Sequence, residues 1–259
     1  MGLTLEDSGV VITGAAGGIG AAMARRFARG GARLVLADVS AAVRDVAAEL
    51  GAHAVVGDVA GEAGVANLVA ESRARLGEID MFCANAGIAP IGREDCPEEV
   101  WAATWNINVM AHVRAARALL PAWLARGRGH FLATVSAAGL LTTLGSASYS
   151  VTKHGALAFA EWLLVTYKHR GISVQAVCPQ GVRTRMLESV GPHGQLMEAS
   201  AIEPEVVAEV VADALGGEQF LILPHPEVAG YYANRATQNE RWIAGMNKLQ
   251  RKLEASGAG

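Results

Sequence analysis

The chain has 259 residues, of which 51% are hydrophobic and 18% charged, and its formal net charge is -3. That length suits one large α/β domain or two small ones, and the composition excludes a disordered chain. The weak acidity offers nothing to nucleic acid or to an anionic membrane, so neither is expected as a partner.

Short apolar runs of strand length recur along the chain: GVVITG (9–14), RLVLAD (33–38), AVVGD (54–58), IDMFCANAG (79–87), GHFLATVS (129–136), ISVQAVCP (172–179) and QFLILP (219–224). They are continuous rather than alternating, as strands covered on both faces should be. Helical spacing fills the gaps at 18–29, 40–50, 61–76, 97–126, 147–169 and 203–215. Strand alternating with helix along a whole chain predicts a parallel sheet with helices on both faces, connected by right-handed crossovers. The expected fold is therefore α/β, one doubly wound seven-stranded domain spanning 1–259, with a helical extension from 225 onward and a tail helix over 231–253. Residues 181–205 follow the sixth strand, mix polarity and carry several Gly and Pro, which marks them as a candidate lid.

Other classes find little support. The three cysteines, Cys83, Cys96 and Cys178, lie in or near apolar segments without CxxC spacing and read as reduced packing residues. The seven histidines form no metal-ligand spacing, so no metal is expected. The N-terminus lacks a basic stretch followed by an apolar core, and no apolar run approaches the ~18 residues of a membrane span. A cytoplasmic location is expected.

Chemistry-bearing residues follow the first strand. Gly14, Gly17, Gly18 and Gly20 surround the start of a helix. Glycine permits tight turns and close backbone approach, and a helix N-terminus offers free N–H groups to phosphate. This context supports dinucleotide binding, against the plainer reading of a Gly-rich turn. Asp38 ends the second strand, where an acid can accept from ribose hydroxyls and would repel a 2′-phosphate; Val39 and Ser40 supply no cation. NAD is therefore expected over NADP, although Asp38 can also cap the next helix. Asp58 ends the third strand similarly, with adenine contact and structural capping both open. Farther on, Tyr149 precedes Lys153 by four residues, a spacing that puts both on one helix face.

These motifs together resemble the short-chain dehydrogenase/reductase family, over about residues 5–224. Thr13 to Gly20 (TGAAGGIG) is similar to its TGxxxGIG, and Asp58-Val59 resembles its adenine-contacting pair. Asn85-Ala86-Gly87 resembles its NNAG with Ala84 replacing the first Asn; Ser136, Tyr149 and Lys153 resemble its Ser and YxxxK; and Pro179, Val182 and Thr184 resemble its PGxVxT, with Gln180 at the usual Gly. The resemblance implies cofactor contacts from Gly14, Gly17, Gly18, Ile19, Gly20, Asp38, Asp58, Val59, Asn85, Ala86, Gly87, Tyr149, Lys153, Val182 and Thr184. It further implies that Tyr149 is the general acid/base, that Lys153 together with the positive nicotinamide ring pulls its pKa toward neutrality, that Lys153 also holds the nicotinamide ribose, that Ser136 orients the substrate oxygen, and that Asn108 helps order a water leading to Lys153.

The expected activity is interconversion of a secondary alcohol and its ketone with NAD. A 3-ketoacyl-type reductase and a non-catalytic dinucleotide-binding regulator are the alternatives. The lid residues Met186, Leu187, Val190, Leu196 and Met197 favour a small apolar substrate, and His193 and Met197 are either pocket or surface residues. Gln180 could reach the substrate, whereas His154 is read as structural. Surplus apolar residues on helices 107–124 and 154–167 predict a homotetramer, with a dimer second.

Overall fold

The computed structural model describes residues 2–189 and 198–255. Its centre is a seven-stranded sheet in the order β3-β2-β1-β4-β5-β6-β7, every pair parallel. The strands are β1 (Gly9–Thr13), β2 (Arg33–Asp38), β3 (His53–Val56), β4 (Met81–Ala84), β5 (Gly129–Thr134), β6 (Ile172–Val177) and β7 (Leu221–Ile222). Helices cover both faces: α1 (Gly18–Arg29), α2 (Val43–Leu50), α3 (Glu62–Leu76), α4 (Glu98–Trp105), α5 (Ala111–Arg126), α6 (Ala147–Tyr167), α7 (Arg185–Ser189), α8 (Pro204–Ala214), α9 (Glu227–Thr237) and α10 (Asn239–Ala255).

All five residues of β1 are buried, because the sheet separates two apolar layers. One layer packs Leu68 of α3, Leu119 and Trp123 of α5 and Leu163 of α6 against Phe82 and Phe131. The other packs Met23 and Phe27 of α1, Val46 of α2 and Val207 and Val211 of α8 against Ile12, Leu36 and Leu132. Trp123 satisfies its buried indole N–H on the Ile79 carbonyl at 2.7 Å.

The predicted helix over 97–126 is present but widened in its middle. A π-helical segment over Asn106–Met110 joins α4 to α5, a deviation that recurs at functional positions. The predicted tail helix instead divides at Gln238, whose backbone leaves the helical region at φ -134, ψ 52. Thr237 and Asn239, on either side of the break, are poor helix formers, and Arg235 folds across it to within 5.3 Å of the Trp242 ring. Cys83 and Cys178 are buried and Cys96 partly so, all free; burial pushes the Cys178 thiol up to about 12.

Candidate functional site

Strand order reverses between β1 and β4, so the chain leaves these neighbours in opposite directions and opens a crevice beyond their carboxyl ends. A cavity of about 430 Å³ occupies that place. Residues just after β1, β2, β4, β5 and β6 line it, among them Gly14, Asp38, Asn85, Ser136 and Pro179. A parallel sheet thus delivers to one spot side chains more than a hundred positions apart.

At one end of the cavity the glycine loop is shaped by close contacts. A side chain on Gly14, which has φ +66, would come within 2.9 Å of the Ala86 backbone, and one on Gly20 within 2.2 Å of the Gly14 carbonyl. These contacts draw α1 onto β1 and β4. Gly17 begins α1 without a side-chain cap, so the helix N-terminus faces the cavity. Arg185 of α7 brings its guanidinium to within 3.2 Å of the position a Gly17 Cβ would take.

Asp38 lines the cavity with both oxygens held, one accepting from the Ala16 N–H at 3.0 Å and the other from the Ser40 N–H at 2.8 Å. Asp38 does not cap α2, whose N-cap is Ala42 with no side-chain bond; it closes a turn at Ser40 and still faces the cleft, since each carboxylate oxygen retains a lone pair. Asn85 donates to the Thr13 carbonyl at 3.0 Å, while the Thr13 hydroxyl accepts from the Asn85 and Ala86 amides. That exchange clips β1 to β4.

At the other end stand Ser136, Tyr149 and Lys153, all lining the same cavity. Ser136 adopts φ 155, ψ 158, a region nearly confined to glycine. Its hydroxyl accepts from the Ala138 amide at 3.0 Å, donates to the Pro179 carbonyl at 3.4 Å and stands close enough to the Tyr149 phenol to oppose its upward shift. Lys153 is 3% exposed, donates to the Thr134 carbonyl at 2.9 Å and lies 5.5 Å from the Tyr149 ring centroid. Burial pushes its ammonium down to about 8.

The Tyr149 phenol is driven above its usual range, because desolvation outweighs the opposing bond from Ser136. The expected pull toward neutrality joins Lys153 with the positive nicotinamide ring; burial of the phenol pushes in the opposite direction. The cation that should favour phenolate is itself buried and weakened as an acid-base partner.

Not every expected residue reaches the cavity. Asn108 is fully buried and its carboxamide is engaged elsewhere: Oδ1 accepts from the Ile88 N–H at 2.9 Å, and Nδ2 donates to the Ile88 carbonyl at 2.9 Å and the Thr152 hydroxyl at 3.1 Å. Gly87 makes this possible, since a Cβ there would lie 3.1 Å from Asn108 Oδ1. Gly20 packs behind the loop. Asp58 is exposed and turned to the Ala60 amide at 2.8 Å, and Val59 is buried; neither lines the cavity.

The segment after β6 runs across the front. Val182 is buried, and Thr184 stands 3.0 Å from the position a Cβ on Gly18 would take. The Arg183 amide donates to the Ile202 carbonyl at 2.9 Å and the Ile202 amide to the Gly181 carbonyl at 3.1 Å, which fastens the two ends of the candidate lid together. Met186 and Leu187 enter the cavity. Val190, His193, Leu196 and Met197 lie outside the described residues. Gln180 lines the cavity and donates to the Glu227 carboxylate at 3.0 Å, and its backbone N–H reaches His225 Nδ1 at 3.1 Å. The residue replacing the usual Gly therefore ties the loop to α9.

Sequence reasoning did not find the apolar wall formed by Ala89, Ile91, Leu141 and Leu144. These residues belong to loops without periodicity, and only the tertiary fold turns them inward.

The comparisons agree with this architecture. The model of a family described as short chain dehydrogenase matches residues 8–194. A 1-deoxy-11-beta-hydroxypentalenate dehydrogenase of Streptomyces exfoliatus is 37% identical over 86% of this chain and 85% of its own length. The human epidermal retinol dehydrogenase 2 is 33% identical over 83% of this chain and 73% of its own. Among solved structures, a short chain dehydrogenase/reductase of Burkholderia phymatum in complex with NAD superposes with a TM-score of 0.83 at 24% identity, covering 92% of this chain and 96% of that one. With the fold, the crevice and these relatives in agreement, the chain belongs to the short-chain dehydrogenase/reductase family and is an oxidoreductase acting on CH–OH groups.

Proposed function

We propose that this chain is an NAD-dependent dehydrogenase that interconverts an apolar secondary alcohol and its ketone, acting as one dinucleotide-binding domain with 225–259 as its extension. The observation that carries the reading is the convergence of Ser136, Tyr149 and Lys153 on one cavity that also contains the glycine loop and Asp38.

The residues fit the cofactor. Gly14, Gly17, Gly18, Ile19 and Gly20 form or support a cradle at the uncapped start of α1, suited to a pyrophosphate, with Arg185 beside it. Asp38 keeps an acceptor toward the cleft for a ribose diol. Ala86, Gly87, Val182 and Thr184 complete the wall toward the reacting end. Bound there, NAD would supply the hydride acceptor. The chain's own work is to hold the substrate oxygen and move its proton. Ser136 donates to that oxygen and aligns it, and Tyr149 takes the proton in oxidation and returns it in reduction. Lys153 keeps a positive charge beside the phenol and orients the nicotinamide ribose. Asn108 acts by position: its bond to Thr152 fixes the turn of α6 that carries Lys153. Asp58 and Val59 shape the adenine end from outside the cavity wall.

The wall of Ala89, Ile91, Leu141, Leu144, Met186 and Leu187 favours a ring-bearing apolar substrate. The named substrates of the relatives above, a hydroxypentalenate and a retinol, are consistent with that choice. A panel of terpenoid, steroid and retinoid alcohols, followed by NADH absorbance, tests it. Binding of NADH with no turnover of any alcohol would favour the dinucleotide-binding regulator.

Cofactor choice is separately testable. Asp38 would face a 2′-phosphate with like charge, and Val39 beside it is 76% exposed without a cation. NADH is expected to bind at least ~10-fold more tightly than NADPH in a fluorescence titration, about one charge interaction's worth. Equal affinities would count against Asp38 and point to Arg185 as a neutralising partner.

We also propose a homotetramer. Trp105, Val151, Trp162 and Val165 are apolar residues exposed on α4 and α6. Trp162 stacks on Phe159 with ring centroids 6.4 Å apart, which enlarges the patch. Val109 of the π-helical segment and Leu119 and Trp123 of α5 are buried within the chain, so the predicted helix 107–124 contributes less to this surface than its sequence suggested. Light scattering at micromolar concentration should report a mass about four times 26.9 kDa, with a dimer of about twice 26.9 kDa the second expectation. A monodisperse monomer would refute the interface.

A further inference from the structure

The extension α9–α10 lies beyond the 8–194 span of the family match, and Val228 and Leu253 are its only fully buried residues among those described. Its packing is therefore slight, yet one of its side chains makes a directed contact with the site. Arg235 Nη1 donates to the Leu140 carbonyl and to His154 Nε2, the latter at 3.0 Å.

Both acceptors are adjacent to the reacting residues. Leu140 closes the turn that begins at Ser136, a turn held by bonds from the Ala138 amide to the Ser136 hydroxyl at 3.0 Å, from the Gly139 amide to the Ser136 carbonyl at 2.9 Å and from the Leu140 amide to the Ala137 carbonyl at 3.0 Å. Leu140 is 1% exposed, so its carbonyl has little access to water. His154 follows Lys153 on α6. A guanidinium can only donate, so His154 must accept through Nε2 and carry its proton on Nδ1. That tautomer suits the Ser150 carbonyl, which stands 2.9 Å from Nδ1. The Trp242 ring lies against Arg235 at 5.3 Å, and among the described residues no carboxylate pairs with it. The charge-assisted bonds of this cation are thus directed at the turn and the helix.

We infer that Arg235 is a positioning residue: from the C-terminal extension it holds the Ser136–Leu140 turn against α6, fixing the Ser136 hydroxyl relative to Tyr149 and Lys153. The strained backbone of Ser136 is a reason such a restraint is needed, since a residue at φ 155 relaxes unless its surroundings hold it. The catalytic part of this inference rests on the dehydrogenase reading above; the restraint on the turn does not.

The test uses the full chain with Arg235→Met and Arg235→Lys. In Arg235→Met, amide hydrogen exchange over residues 137–141 should quicken at least ~10-fold while exchange in β1, β4 and β5 stays as in wild type. With an alcohol that wild type oxidises, kcat should fall about 10-fold with KM within about twofold and NADH affinity unchanged, since ground-state binding does not need the hydroxyl aligned. Arg235→Lys, which keeps a charged donor, should recover part of both effects. Unchanged exchange at 137–141 in Arg235→Met overturns the inference, as does quickened exchange across the whole chain, which would assign Arg235 to general stability. If wild type oxidises no alcohol, the dehydrogenase reading fails and exchange alone decides whether the restraint exists.

Discussion

Tyr149→Phe should reduce kcat at least ~100-fold, the low end of what a positioned proton donor contributes. The substitution keeps the ring and removes only the hydroxyl, so the packing of α6 and the proximity of Lys153 survive. NADH affinity should remain within about twofold, because Ser136, Lys153, Asp38 and the glycine loop are untouched. The phenol is partly buried and held above its usual range by desolvation. Alcohol oxidation, which needs Tyr149 as phenolate to accept the proton, should therefore gain rate toward alkaline pH, and the variant should lose that dependence along with its turnover. Initial rates measured from pH 6 to 10 check both parts. A variant retaining more than a few per cent of wild-type kcat would remove Tyr149 from the acid/base role and return the Tyr-x-x-x-Lys spacing to an ordinary helix face.

The second large effect concerns stability in acid. His112 on α5 is 1% exposed and His130 on β5 is 3% exposed. Among the described residues neither His112 nor His130 finds a hydrogen-bond partner of ordinary geometry, although Gln175 stands close enough to His130 to temper its shift. Burial pushes His112 down to about 3, with Lys153 nearby adding to the effect, and His130 down to about 4. The unfolded chain takes up these protons near 6.5 and the folded chain does not, so the unfolded state binds more protons throughout the window between. Stability is therefore fully present above about 6.5 and declines as pH falls toward 4. Each histidine contributes a slope of about 1.4 kcal/mol per pH unit, so the pair costs roughly 4 kcal/mol between pH 6 and 4.5. Urea unfolding at those two values should show a loss of at least this size, to which paired carboxylates add. The double variant His112→Asn with His130→Gln should be less stable at pH 7, where two packed rings are lost, but should unfold with a shallower dependence on pH. An unchanged slope in that variant would mean that the rings titrate in the folded state, with water reaching them.

How much of this was legible beforehand differs between the frame and the site. The seven apolar runs declared the sheet because each is covered on both faces and none can afford an alternating pattern. The glycine loop was legible because it needs the absence of a side chain, and an absence is visible in the letters: Gly14 and Gly20 leave room for Ala86 and for the Gly14 carbonyl itself. Tyr149 and Lys153 were legible because helical spacing puts them together locally. Other features were not. The contacts of Arg235 depend on partners that lie 81 and 95 positions away. The carboxamide of Asn108 had several possible uses until the fold put Ile88 and Thr152 around it. The apolar wall at Ala89, Ile91, Leu141 and Leu144 carries no periodicity, since loop residues are turned inward by the elements they connect.

The same division holds for the electrostatics. A sequence names the ionisable groups but not the solvent they lose. Lys153 with the nicotinamide ring suggested a phenol drawn toward neutrality; the opposing effect of burial, which raises the phenol and lowers the ammonium to about 8, is invisible in the letters. What the sequence by itself determined was the layered α/β architecture, the glycine cradle, the Asp38 acceptor and the Tyr149–Lys153 pair, because each follows from local spacing or from the absence of a side chain. The tertiary structure alone decided which groups are dehydrated, which hydrogen bonds are already taken and which loops close the cavity. Those depend on contacts between distant parts of the chain, and desolvation and bond geometry are set by the surroundings rather than by the residue.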